Sequence, residues 1–443
     1  MSHLETIGDP RDFGAVYDGV KDCSPAINKC IKKYDHIIFR GSGTALVKSP
    51  ILVRTGSWLD LAPGFTIKLA DDVNDLLLKN RWSESAYFAG KNGNPDFMSE
   101  LYPGFTPDEW ELGETDRNIK ITGGIFDGNG KHQTRQAWRY ASMGYYGTVL
   151  MFVNVEGLEM SNVKIRNALT YNAEFHITKN FRLNNINLDY DEPRPNLDGL
   201  HFGGDCYNGI IDGVTGKTYD DMVALNGGDC WYPKPSKDGV ILPQANKVWF
   251  PFAQGRIANI EIRSIMAQNG YRAIRLLSNT RTDESPENET EGMDHILIDG
   301  IYGSYCVNSV LISSFIGKTK NYDNITIRNI KNSLFDGGRM ANIYAEPSTF
   351  VNNLIISDYY YKAELQEPVK LSGSIGKFTL RDAFIEVSDN TDMKGRTAIT
   401  ISRAKYITFD NVTVSDEYLH IFSLNDSNKE VQINISNSNF VIK

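Results

Sequence analysis

The sequence predicts an all-β chain wound into a right-handed parallel β-helix, with a short N-terminal helix capping the solenoid. Three observations predict it. Short runs of strictly alternating apolar residues recur through most of the 443 residues, Asn recurs with them, and only one stretch near the N-terminus has helical spacing. Strict alternation over four to eight residues is the signature of a half-buried strand. The runs recur at roughly 25 to 37 residues, the range in which solenoids are considered first.

The helix comes first in the chain. In residues 22–34 (DCSPAINKCIKKY), Ala26, Ile27, Cys30 and Ile31 share one face, with Ser24 as N-cap and Pro25 as the first helical residue. Residues 1–36 thus form an N-terminal segment with a cap that covers an otherwise open core and sheet edge. Residues 37–443 form a single β-helix domain. Its first coils start at 37–39 (IIF), 44–47 (TALV), 51–53 (ILV) and 57–61 (SWLDL). Later coils read 118–122 (NIKIT), 158–165 (LEMSNVKI), 181–188 (FRLNNINL), 257–262 (IANIEI), 296–301 (ILIDGI), 325–330 (ITIRNI) and 407–414 (ITFDNVTV). Gly, Asn and Asp mark the turns because they tolerate positive φ. A propeller would need four strands per blade and a Trp-Asp signature, which is not found. Two stretches break the rhythm, 81–115 and 227–252. Both are aromatic-rich, and long ordered insertions of this kind are read as walls of a groove.

Charge and composition exclude several classes. Lys and Arg number 46 against 55 Asp and Glu, a formal charge of −9. No basic run is present, which argues against a nucleic-acid partner. No stretch reaches the roughly 18 apolar residues of a membrane span. Met1 to Asp12 has no apolar core of a secretory signal, which predicts a cytoplasmic protein, or a secreted one if a leader has been removed. The five cysteines are odd in number, and Cys206 and Cys230 are read as buried free thiols. Asn288, Asn324, Asn411 and Asn434 head glycosylation sequons, most of which fall in the Asn rhythm of the repeat. Oligomeric state leaves no mark on the sequence.

The chemistry concentrates in two acidic clusters. One is 195–202 (PNLDGLHF) with Asn196 and Asp198. The other is 218–226 (TYDDMVALN) with Asp220, Asp221 and Asn226. Asp198 and Asp221 are 221 − 198 = 23 residues apart, about one coil. Each cluster runs into alternating apolar residues, Leu200 and Phe202 or Val223 and Leu225. If those stack inward, the carboxylates stand on neighbouring rungs about 4.8 Å apart. Carboxylates that close repel, so at least one is expected to hold its proton beside an ionised neighbour. An acid next to a base is what glycoside hydrolysis needs.

Asn196-Leu197-Asp198-Gly199 followed by Asp220-Asp221 resembles the Asn-Thr-Asp-Gly and Asp-Asp signatures of the polygalacturonase family of glycoside hydrolases. Residues 173–177 (AEFHI), 185–188 (NINL) and 124–130 (GIFDGNG), and the opening 12–15 (DFGA) with 18–22 (DGVKD), resemble other parts of that pectate-lyase-like β-helix pattern, over residues 12 to about 280. The resemblance implies an inverting hydrolase that uses no metal and no other cofactor, acting on an oligo- or polysaccharide that is pectin-like or otherwise acidic. It implies Asp220 as general acid, with Asp198 and Asp221 holding and deprotonating the attacking water. The chain departs from the pattern at Leu197, at Arg272 where the family has a histidine, and at 310–313 (VLIS), where the family has Arg-Ile-Lys.

Arg272 and Arg275 match carboxylate geometry and are candidates to bind an acidic sugar or to pair with the aspartates. By alternation His201 faces outward, with Ala224 and Arg275 on the corresponding rungs, and is a candidate sugar ligand. His176, one coil earlier, is a weaker match to the same role. Trp231 and Tyr232 follow the acidic strand and can offer a stacking platform for a pyranose ring. Fold alone does not fix function. A Ca²⁺-dependent polysaccharide lyase using an Arg base, a transferase, and a tailspike-like glycan binder without catalysis therefore stay open beside the hydrolase.

Overall fold

The computed structural model describes residues 7–80, 114–134, 147–227, 255–278, 292–314, 321–335, 341–363, 367–387, 397–415, 420–424 and 431–439. The expected insertions lie outside these residues except at 114–115 and 227, as do Trp231, Tyr232 and Cys230. Among the described residues one α-helix is found, Ser24–Lys33, and the rest of the regular structure is almost wholly parallel strands. No described helix is long and apolar enough to cross a membrane. The fold is a parallel β-helix. Its described residues divide into two compact units, one ending at Ile210 and the other beginning at Ile211.

In the first unit the capping helix lays Ala26, Ile27, Cys30 and Ile31 against the core. It starts one residue earlier than its sequence suggests. Cys23 is the N-cap, and Ser24 is the first helical residue. The Ser24 hydroxyl donates to Asp22 and accepts from the backbone N–H groups of Lys48 and Ser49 at 2.8 and 3.1 Å. Asn28 pairs with the edge strand as another strand would: its Nδ2 donates to the Pro50 carbonyl and its Oδ1 accepts from the Leu52 N–H, both at 2.9 Å. A sheet edge that would otherwise expose its backbone is closed in this way.

Successive coils then stack in parallel. His36 lies opposite Trp58, Thr44 opposite Thr66 and Ile51 opposite Leu78. Further on, Leu150–Arg166 pairs along its length with Ala173–Asp189. Phe152, Phe175 and Phe202 form an inward stack, with ring centroids 5.8 and 4.6 Å apart. A one-residue slip would turn these rings out of the core, so they set the register of the side chains on the opposite face.

The second unit repeats the pattern. Ile260, Ile296, Ile325, Leu354, Phe378 and Ile407 stand on consecutive rungs, all buried. Each such side chain contributes roughly 1.5–3 kcal/mol by leaving water.

The Asn rhythm has a geometric cause in both units. Asn162 and Asn185 occupy the left-handed region, at φ 58° and 52°, where the coil turns between two faces. A branched side chain is strained there, whereas Asn is tolerated. The Asn185 side-chain amide also donates from Nδ2 to the side-chain Oδ1 of Asn162 one coil below, at 2.8 Å. In the second unit Asn324 and Asn411 hold the same backbone conformation and donate to Asp294 and Asp382 at 3.0 and 2.8 Å. Those two sequons therefore have a structural origin in the corner.

Candidate active site

In the first unit Asp198 follows a turn that needs Asn196 at φ 57° and fully buries Leu197. Its main chain is fixed to the previous coil. The backbone N–H and the side-chain Nδ2 of buried Asn172 both donate to the Asp198 carbonyl at 2.9 Å, and Ala173 N–H donates to Gly199 at 3.0 Å. The following strand, Leu200–Phe202, pairs with Ala173–Phe175, which puts His201 on the rung beside Glu174. His201 is buried, and its Nδ1 lies 2.8 Å from Asp198 Oδ2. The ring of Tyr171 stacks on the imidazole at 3.9 Å and 17°.

Glu174 and His176 form a second buried pair, with Oε1 and Nε2 2.8 Å apart. Thr148 donates to the other Glu174 oxygen at 3.2 Å. Such partners are what buried polar groups require. A Cβ at Gly203 would sit 2.1 Å from His176 Nδ1, so glycine at 203 makes room for that imidazole.

In the second unit the turn before Asp221 is tied by Thr218, whose hydroxyl donates to the Asp220 carbonyl at 2.8 Å. Asp221–Gly227 then pairs with 272–278, placing Asp221 opposite Arg272 and Ala224 opposite Arg275. The Arg272 guanidinium forms a close ion pair with Asp221 and lies 3.5 Å from Asp220. Its Nε donates to Asn308 on the next rung at 2.7 Å. Asp221 is 1% exposed, whereas Asp220 keeps 21% of its side chain accessible. Burial opposes the charge of Arg272, but the attraction of Asp221 and Asp220 outweighs it and raises the pKa. Arg275 reaches Asp221 at 4.0 Å and donates from Nε to Ser313 at 3.3 Å. Asn226, at the end of the same strand, is buried.

Several neighbours were not anticipated from the sequence. The Arg272 guanidinium lies over the Tyr271 ring at 5.3 Å, and half-exposed Tyr219 sits 6.4 Å from Tyr271. Burial raises the pKa of Tyr271, an effect that Arg272 opposes. Burial also raises the pKa of Glu346 against the attraction of Arg275. The site of the first unit thus joins a carboxylate to an imidazole and an aromatic ring. That of the second joins two unlike carboxylates, one buried and one accessible, through a single guanidinium.

The comparisons agree with a parallel β-helix and point to one family in sequence. Residues 92–231 match the sequence profile described as Glycosyl hydrolases family 28. The chain is 30% identical over 132 residues to an exopolygalacturonase of Arabidopsis thaliana, and 28% identical over 123 residues to a polygalacturonase of the same plant. These matches take in 28% and 27% of this chain and span 30% and 28% of the relatives' own lengths. In solved structures the fold is similar to an exopolygalacturonase from Thermotoga maritima, with a TM-score of 0.56 and 14% identity over 93% of this chain and 92% of that one. It is also similar to the A-module of a mannuronan C-5 epimerase from Azotobacter vinelandii, with a TM-score of 0.58 and 13% identity over 97% and 98% of the two chains. The chain thus resembles the polygalacturonase-like family in sequence and has its parallel β-helix fold.

Proposed function

We propose that this protein is a glycoside hydrolase that cleaves a pectin-like or other acidic glycan with inversion. In this reading Asp220 protonates the leaving oxygen, while Asp198 and Asp221 hold the attacking water and take its proton. The observation that carries it is the unlike pair Asp220 and Asp221. Asp221 is buried and clamped by a cation, and Asp220 remains accessible to a substrate. Two carboxyl groups in unlike surroundings are the arrangement that separates acid from base. The family profile over residues 92–231 supports the same chemistry.

A lyase would need Arg272 to give up its proton and act as base. The negative charges of Asp221 and Asp220 stabilise the guanidinium and hold that proton on Arg272, which disfavours this route. Arg275, held less closely by Asp221, is the cation assigned to a substrate carboxylate. Galacturonan oligosaccharides are the first substrates to try, because the Arabidopsis relatives are named for that polymer.

The test is sugar release from a panel of pectic oligosaccharides and aryl glycosides, with the anomer of the first product followed by NMR. Inverted product is expected, and Asp220→Asn is expected to lower kcat by about 10² to 10⁴-fold with the fold intact. Retained configuration, an unsaturated product, or near wild-type turnover in the Asn variant would each overturn the assignment.

A further inference from the structure

We infer that His201 is a positioning residue for Asp198: its Nδ1–H bonds one carboxylate oxygen and so sets how the carboxylate is turned when it takes the proton of the attacking water. The inference rests on the role proposed for Asp198. A contact of 2.8 Å between Nδ1 and Oδ2 requires one proton between them. A base must start ionised, so that proton belongs to His201, which fixes the imidazole as the Nδ1–H form. Both groups are buried, so the bond is made away from competing water and is correspondingly directional.

The two partners are also referenced to one short piece of backbone. Asn172 holds the Asp198 main chain through two donors, and Tyr171, the residue before it, holds the plane of the His201 ring. The inward Phe175–Phe202 contact fixes the rung between them. Glu174, on the rung beside His201, bonds to His176 and Thr148 through its two oxygens. Two carboxylate–imidazole pairs therefore stand side by side, and the one containing Asp198 is set in orientation by an aromatic ring. In the reaction, water loses a proton to Asp198 as its oxygen bonds to the anomeric carbon and the bond from that carbon to the leaving oxygen breaks. Asp220 gives its proton to the leaving oxygen, and His201 keeps its own throughout.

This role differs from packing in which replacements should work. Asparagine places its Nδ2 near the position of imidazole Nδ1, whereas glutamine carries its amide one bond further. With the glycan hydrolysed best in the panel, His201→Leu and His201→Gln are expected to lose about 10²-fold in kcat. Their KM should stay within a few-fold, while His201→Asn recovers most of the loss. Equal losses in all three variants, or a His201→Leu enzyme with wild-type kcat, overturn the inference while leaving Asp198 as base. Near wild-type activity in Asp198→Asn overturns both. Imidazole nitrogen NMR on the wild-type protein needs neither substrate nor stable variants. It should show the Nδ1 proton on His201, and a His201 protonated only at Nε2 overturns the assignment.

Discussion

Replacing Arg272 by methionine isolates what the guanidinium does. The side chain is 8% exposed, and its donors point at Asp221, Asp220 and Asn308. Methionine fills much of the volume and supplies no charge. Asp221, itself 1% exposed, then loses its close cation, while Arg275 stays at 4.0 Å. Breaking a buried pair from one side costs about 3–5 kcal/mol, because the other charge stays desolvated. Loss of the Asn308 contact, a hydrogen bond from a charged donor, adds about 1.5–3 kcal/mol. Removing the second charge as well should recover part of this, so Arg272→Met with Asp221→Asn should be more stable than the single changes predict by at least about 2 kcal/mol. Urea unfolding of the four proteins in this cycle measures the coupling. Single-variant effects that add within about 0.5 kcal/mol would refute the argument. The same geometry makes a kinetic prediction. Because Arg272 faces the aspartates, Arg272→Met should slow hydrolysis of neutral and acidic substrates alike. A loss confined to substrates that carry a carboxylate would show that it reads the sugar.

Arg275→Gln should behave the other way, raising KM about 10- to 100-fold for acidic glycans and little for neutral ones, since a hydrogen bond to a charged group contributes about 1.5–3 kcal/mol; steady-state kinetics on a matched substrate pair checks it. Glu346 has a pKa raised above 4.5, chiefly by burial, so the folded state holds its proton more tightly than the unfolded chain does. Its contribution to stability is full below 4.5 and is lost as pH rises through the folded value, so Glu346→Gln should gain on the wild type across that window; unfolding midpoints at acid and neutral pH that differ by a constant amount would contradict this. At the corner residue Asn185, valine should cost roughly 1–2 kcal/mol from left-handed strain in addition to the lost amide bond, and glycine should recover the strain component; equal losses by urea unfolding would show that the corner conformation is not the cause.

The parts of the molecule legible in the sequence are those whose signal is local. Alternation gives each strand its inward face, and Ile296, Ile325, Leu354 and Phe378 stack as that pattern requires. The Asn rhythm was legible as turns. Its second role was not, because an amide ladder such as Asn162–Asn185 depends on what lies one coil away. The same distinction runs through the site. Asp198, Asp220 and Asp221 lie in compact motifs, and Arg272 could be placed because it stands where the resembled pattern has a histidine. Asn308 and Glu346 have no such mark. They enter through rungs that follow coils of unequal length, so no fixed spacing leads to them from Asp221. Tyr171 also lacked a motif, although the rung that puts Glu174 beside His201 leads back to it within three residues. The motifs therefore carry the groups that would act on a substrate. The residues that orient those groups are specified by register, which is fixed by buried rings such as Phe175 and Phe202 on the opposite face of the same strands. A substitution among those rings should consequently disturb the Asp198–His201 pair without touching either residue.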